Sequence, residues 1–289
     1  MRRLTPNTIR IAWLAVAVAC AACLFALLTK TQTVAAAPDA TRCPVLVELF
    51  TSEGCSSCPP ADALLARLDA QQFVPGAVAI VLSEHVTYWD QQGWRDPYSL
   101  DAMTDRQHQY ADRFGLDSVY TPQAVVNGAA EMVGNDERAV TRAVARAAAS
   151  RGAGTLAIQD AKWSGRAIQF SVRAEGLGTA DARLMAVLAQ DSAKSSVGRG
   201  ENAGRMLRHV AVVRVMQEMG NGALNGRVVA LKLPGTGSSA PMRLVVFAAD
   251  SRSGHVLAAA EQAVKGPQQD PGPSAGALQA TLSPSPGSH

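Results

Sequence analysis

Cysteine is scarce in this chain. There are five in 289 residues, and Cys20 and Cys23 fall in an apolar N-terminal stretch, which leaves Cys43, Cys55 and Cys58 for everything after it. Three cysteines cannot staple a chain of this length, so a disulfide framework is excluded and the core must come from burial. An excess of one charge sign is lacking too. Arg2, Arg3, Arg10 and Lys30 lie within residues 1–37, which hold no acidic residue; taking those four from the net +3 leaves −1 for the remainder. A nucleic-acid-binding surface is therefore not expected. Long hydrophobic runs are limited to residues 11–28, which carry no charge. Basic residues precede that run, and Val34-Ala35-Ala36-Ala37 offers a small-residue cleavage site after it. Residues 1–37 thus read as a signal peptide or, given the length of the run, an uncleaved signal anchor. The expectation is a bacterial exported protein, periplasmic or secreted, that meets a membrane only through this segment. No internal repeat stands out.

What is present is a cysteine pair in a telling place. Residues 45–50 (VLVELF) form a short run suited to a buried strand. A Gly-containing turn follows, then Cys55 and Cys58. After them Ala61, Leu64, Leu65 and Leu68 repeat at helical spacing. Pro59 and Pro60 would break a helix interior but fit its first turn, whose N–H groups have no intrahelical partner. The pair sits where a strand hands over to a helix N-terminus, and there the helix dipole favours a thiolate. A free thiol titrates near ~8.5, whereas CxxC thiols in such a position fall to roughly 3.5–7.5. Cys55, in the turn, is expected to be the nucleophile; Cys58, covered by the first helical turn, is expected to resolve the mixed disulfide. A structural disulfide, half of a zinc site and a chance spacing are the other readings of the pair.

Downstream the order reads β-α-β-α-β-β-α to residue 150. Residues 77–82 make a continuous apolar strand, 99–114 a helix, and 120–128 a proline-led strand closed by an Asn127-Gly128 turn. A return strand follows, then a helix capped by Asn135 or Asp136, with Arg138, Arg142 and Arg146 along a solvated side. Beyond residue 150 seven short β-like runs lie between Gly-rich turns (155–160, 166–174, 182–190, 207–216, 227–233, 242–249 and 255–264), which suggests a β-sandwich. Residues 199–205 are expected to be an exposed hairpin loop; the alternative is that they reach across to the first domain. Residues 266–289, rich in Pro, Gly and Ser, read as a disordered tail.

The strand, CxxC, helix and Thr121-Pro122 step resemble the thioredoxin-like superfamily. More narrowly, residues 48–62 (ELFTSEGCSSCPPAD), 120–123 (YTPQ) and 199–205 (RGENAGR) resemble an uncharacterised family of bacterial exported thioredoxin-like proteins, a family with no settled reaction. The resemblance implies a cis bond before Pro122, with Thr121 touching a substrate chain. It also implies a fold class: an α/β thioredoxin-like domain over residues 44–150, followed by an all-β sandwich domain over 155–265. One departure concerns proton handling. Thioredoxin buries an Asp six residues before its first cysteine; Leu49 stands there in this chain, and Glu48 points to the opposite face. Acid–base assistance is then either missing or supplied from elsewhere.

Tryptophan is sparse, four in the whole chain, yet residues 84–98 hold Trp89 and Trp94, together with Tyr88, Tyr98 and His85. A loop at the carboxyl end of a parallel strand lies where α/β sheets bind ligands. Trp89 and Trp94 are therefore expected to form a substrate lip beside the CxxC; the alternative is that they fold down as a cap. The leading function is an exported thiol–disulfide oxidoreductase acting on exported proteins or small thiols, without a cofactor. Two other classes stay open: a Cu(I)-binding protein using Cys55, Cys58 and His85, and a redox-inert binding module on the same fold.

Overall fold

The structure is a computed structural model that describes residues 42–150, 152, 154–177, 181–221, 226–235 and 240–267. The expected signal segment at 1–37 lies outside the described residues, as does most of the expected tail, from 268 on. No helix among the described residues is long and apolar enough to cross a membrane.

The elements to residue 150 follow the expected order: β1 (Cys43–Thr51), α1 (Pro59–Gln71), β2 (Ala77–His85), α2 (Asp101–Phe114), β3 (Gln123–Val126), β4 (Ala130–Val133) and α3 (Glu137–Ala149). β1 and β2 are parallel, β3 runs antiparallel to β1, and β4 returns against β3. Asp136 caps α3 by accepting from the Ala139 N–H, and Gly115 in the left-handed region ends α2. Seven strands follow: β5 (Thr155–Ser164), β6 (Ala167–Glu175), β7 (Ala182–Ser196), β8 (Met206–Asn221), β9 (Val228–Lys232), β10 (Met242–Asp250) and β11 (Val256–Val264).

Their arrangement corrects the expected fold class. No thioredoxin-like α/β domain with a separate β-sandwich is present. β8 pairs with β2 at Ser83 and Val212, and this joins everything into one eight-stranded mixed sheet ordered β11-β10-β7-β8-β2-β1-β3-β4. Only β5, β6 and β9 form a second, three-stranded sheet. The chain is mostly β, with three helices among the described residues. The far end of the large sheet also comes back: the Val256 N–H donates to the Asn127 carbonyl, and the Asn127 side chain accepts from the Leu46 N–H of β1.

The cause lies in the patterning of β7 and β10. Side chains alternate across a strand. Ala186, Leu188, Leu244 and Val246 face Ile168, Phe170 and Leu231 of the small sheet. Their neighbours Val187, Ala189, Val245 and Phe247 enter the main core with Val45, Val47, Leu64 and Leu68. Strands that are apolar on both faces must be covered on both. A free-standing sandwich would leave one of those faces wet, so it docks by its edge onto β2. Arg243 adds a tie, with its guanidinium bidentate on Asp69 of α1 at 2.6 and 2.9 Å.

Candidate functional site

β1 ends at Thr51, and the chain turns through residues 52–57, with the Cys55 N–H donating to the Ser52 carbonyl at 3.1 Å. Cys58 is the N-cap of α1, and Pro59 and Pro60 occupy its first positions, so two N–H groups that would need capping do not exist. The Cys58 sulfur makes no cap bond because it is joined to Cys55. Both cysteines are fully buried, whereas Ser56 and Ser57 between them are exposed. Cys43 stands outside this bond, with its thiol 3.6 Å from the Pro44 carbonyl oxygen.

Three segments surround the pair. The first is the Thr121-Pro122 step, whose peptide bond is cis. The Pro122 carbonyl accepts from the Gly134 N–H at 2.9 Å. A methyl group on Gly134 would lie 3.2 Å from Pro122, 3.3 Å from Ala61 and 2.6 Å from Leu49. Gly134 is thus the gap that lets the proline approach the first turn of α1. The second segment is the aromatic loop. The Trp89 indole N–H donates to the Thr121 hydroxyl at 2.8 Å while its Cβ lies against Gly54. The Trp94 indole donates to Glu53 at 2.8 Å. Both residues are half-buried, and Trp89 packs against the buried cluster of Phe50, Val86, Tyr110 and Val125.

The third segment is residues 199–205, the hairpin loop between antiparallel β7 and β8, exposed as expected at every residue but Asn202. It also reaches across to the cysteine turn. Asn202 is fully buried, and its amide donates to the carbonyls of Glu53 and Cys55, both at 2.9 Å. Arg205 holds the Asn202 oxygen at 2.9 Å, and Glu201, on the surface, accepts from the Ser56 N–H at 3.0 Å. Gly198 and Gly200 lie against Trp94, so the loop is seated on the aromatic loop as well as on the turn.

Beside the pair is a set of buried titratable groups. His209, on β8, has Nε2 at 3.3 Å from Glu53 and Nδ1 at 3.7 Å from Asp62, which itself accepts from the Thr51 hydroxyl at 3.0 Å. Glu53 lies two residues before Cys55. Asp62 lies one helical turn after Cys58, on the same side of α1. Burial opposes a charge on His209, but the two carboxylates outweigh it and push its pKa up to about 10. The His209 ring meets that of His85 edge-to-face at 4.6 Å, and His85 Nδ1 lies 2.7 Å from Asp96. Asp96 also accepts from the N–H groups of Glu53 and Tyr98. Burial alone would raise its pKa; His85 and these N–H groups bring it below the ordinary value.

His85 therefore faces Asp96 and His209, and the two sulfurs face each other, so these three residues do not converge as a copper ligand set. Among the described residues no group of three or more His, Cys, Asp or Glu is placed to hold a metal. Sequence reasoning missed Glu53, Asp62, Asp96, Asn202 and His209. One signal was available for the last: His209 alternates with Leu207 and Ala211, so it occupies an inward position on its strand. Asn202 lies within the RGENAGR stretch that carries the family resemblance, but the carbonyls its amide holds are nearly 150 positions away.

A second buried cluster lies apart from the cysteines. Glu48, pointing away from Leu49 as strand alternation requires, accepts from Arg106 Nε and from the Tyr110 hydroxyl, both at 2.6 Å. Glu84 sits beside it, 3.7 Å from Arg106, and as a carboxylate neither of its oxygens has a hydrogen-bond partner. Burial first, then the charge of Glu48, hold its pKa well above the ordinary carboxyl value. The proton it keeps gives it a donor to turn toward Glu48.

The class of protein is thus a mixed sheet whose CxxC turn meets a loop from its later half. The chain belongs to the family described as "Protein of unknown function (DUF1223)", whose model matches residues 46–249. That match spans both halves of the sheet. It is also similar to the crystal structure of protein AGR_C_4864 from Agrobacterium tumefaciens, with 25% identity and a TM-score of 0.57, over 79% of this chain and 97% of that one. No curated protein matches it.

Proposed function

We propose that the protein is an exported thiol–disulfide oxidoreductase in which Cys55 is the nucleophile, Cys58 resolves, and exported proteins or small thiols are the substrates. The observation that carries this reading is the position of the Cys55–Cys58 bond. It lies at the N-terminus of α1, with the cis Thr121-Pro122 step and half-buried Trp89 and Trp94 around it. Kinship with thioredoxin-like proteins enters through this local arrangement alone. A thiolate at a helix N-terminus is stabilised by the helix dipole, which suits it to attack and to leave. In exchange a substrate chain docks across Thr121 and the two indoles.

The burial of both sulfurs under Asn202 favours one other reading, a redox-inert module whose disulfide only braces the turn. The reduction potential separates them. An exchanger should equilibrate with glutathione buffers, between roughly −120 and −270 mV, whereas a structural bond lies below about −300 mV. Mass mapping of the reduced protein after graded iodoacetamide should find Cys55 labelled first, with an apparent pKa below ~8.5. Labelling of Cys58 first, or a potential below the structural limit, removes the proposal.

A further inference from the structure

We infer that His209 sets the charge balance of the cysteine pair, as a positioning residue that lets a thiolate form between two buried carboxylates. The inference rests on the exchange reading and deepens it. Oxidation of a dithiol substrate by this pair runs in two steps. A substrate thiolate bonds to the Cys55 sulfur, the Cys55–Cys58 bond breaks, and its electron pair leaves on Cys58. A second substrate thiolate then bonds to the first substrate sulfur and expels Cys55. The substrate gains a disulfide and loses two electrons, the protein pair gains them, and the two thiol protons pass to solvent or to the cysteines. Each step releases a protein sulfur as an anion.

The surroundings oppose that anion unless they are compensated. Glu53 precedes Cys55 by two residues and reaches it through Asn202, which holds the carbonyls of both. Asp62 follows Cys58 by one turn, and its N–H donates to the Cys58 carbonyl. Both carboxylates are buried. Like charges at such range disfavour a third negative group, and low local polarity enlarges the effect. His209 is the cation that faces both, at 3.3 and 3.7 Å. The other groups around it are His85 with Asp96 from β2 and the aromatic loop, and the Tyr98 ring, over which Arg214 lies at 5.5 Å. His85 and Asp96 are engaged with each other. Two residues after His209, Ala211 has φ of +48°, in a region an L-residue seldom adopts.

The test uses the full chain, reduced, with iodoacetamide alkylation of Cys55 followed against pH and the potential measured against glutathione. His209→Gln keeps a polar side chain and removes the charge. Its alkylation midpoint should rise by about one pH unit, a tenfold loss of labelling rate below the midpoint, and its potential should become more negative by about 30 mV. Asp62→Asn and Glu53→Gln should move both readouts the opposite way. A merely structural role predicts lower unfolding midpoints in all three variants, with the alkylation midpoint fixed or moving one way throughout. Either of those results overturns the inference. If His209→Gln does not fold, the two carboxylate variants decide alone, since each must lower the midpoint. Failure of the exchange reading is seen separately, as a wild-type protein that does not equilibrate with glutathione while the opposed shifts persist.

Discussion

The two buried charge clusters share a composition but not a balance. Beside the disulfide, Glu53 and Asp62 flank His209, and each of these carboxylates also accepts from a donor, Trp94 or Thr51, whereas His209 Nδ1 has no hydrogen-bond partner. Around Arg106, Glu48 takes the guanidinium and the Tyr110 hydroxyl, while Glu84 is left to keep a proton. The first arrangement places its charges beside chemistry. The second places one cation where two strands and α2 converge, and it holds the sheet at the expense of one carboxyl group. Similar residues thus lie beside the disulfide in one place and join two strands to a helix in another, and the difference is the one carboxylate, Glu84, that no hydrogen-bond donor faces.

The largest effect that would sharpen this contrast is at Arg106. Arg106→Met strands Glu48 without its cation and should lower stability by about 3–5 kcal/mol, read from denaturant midpoints, with exchange per folded molecule unchanged. A loss of exchange per folded molecule would break the division of roles. Asn202→Ala should cost about 1–3 kcal/mol, because two buried carbonyls lose their donor, and should raise the exchange rate per folded molecule by uncovering the sulfurs. An unaltered rate would show that the loop does not limit access.

Glu84→Gln separates the clusters by pH. The folded-state pKa of Glu84 is raised, so the folded protein holds a proton that the unfolded chain releases once pH passes the ordinary carboxyl value near 4.5. Its contribution is therefore full below that value and is lost as pH rises toward the folded pKa. The variant should match the wild type near pH 4 and be the more stable of the two at pH 7, read from denaturant midpoints at each pH. A constant difference at both pH values would contradict it. The smallest effect is expected for Trp89→Phe, which removes the donor to Thr121 and keeps the ring. It should cost about 0.5–1.5 kcal/mol and raise the KM for a peptide dithiol without altering the Cys55 alkylation midpoint.

Much of this molecule was legible as elements and little of it as assembly. The run into Cys55, the prolines after Cys58 and the Asn127-Gly128 turn act within a few residues, and local chemistry specifies them. All seven later strands were also visible from their apolar and turn residues. Their docking was not, because Ser83 and Val212 meet across nearly 130 positions and neither residue advertises an edge. The hint was in composition: Val245-Val246-Phe247 is apolar at consecutive positions, and such a strand needs cover on both faces. The site divides the same way. Cys55, Cys58 and Pro122 follow from spacing and resemblance. Glu53 and Asp62 read as ordinary charged residues until β8 brings His209 to them, and Asn202 gains its meaning only when the sheet closes.

The union of the two halves has a consequence in time. Cys55 and Cys58 are synthesised roughly 150 positions before Asn202 and His209, which at about 5–20 residues per second is an interval of about 8–30 s. Throughout it the pair is a bare dithiol on an unfinished sheet, with neither its cover nor its counter-charge. Whatever oxidant or reductant the nascent chain meets then encounters thiols unlike those of the mature protein. On the exchange reading proposed above, the redox character of the pair is thus acquired late, when β8 arrives, and belongs to the finished sheet rather than to the motif.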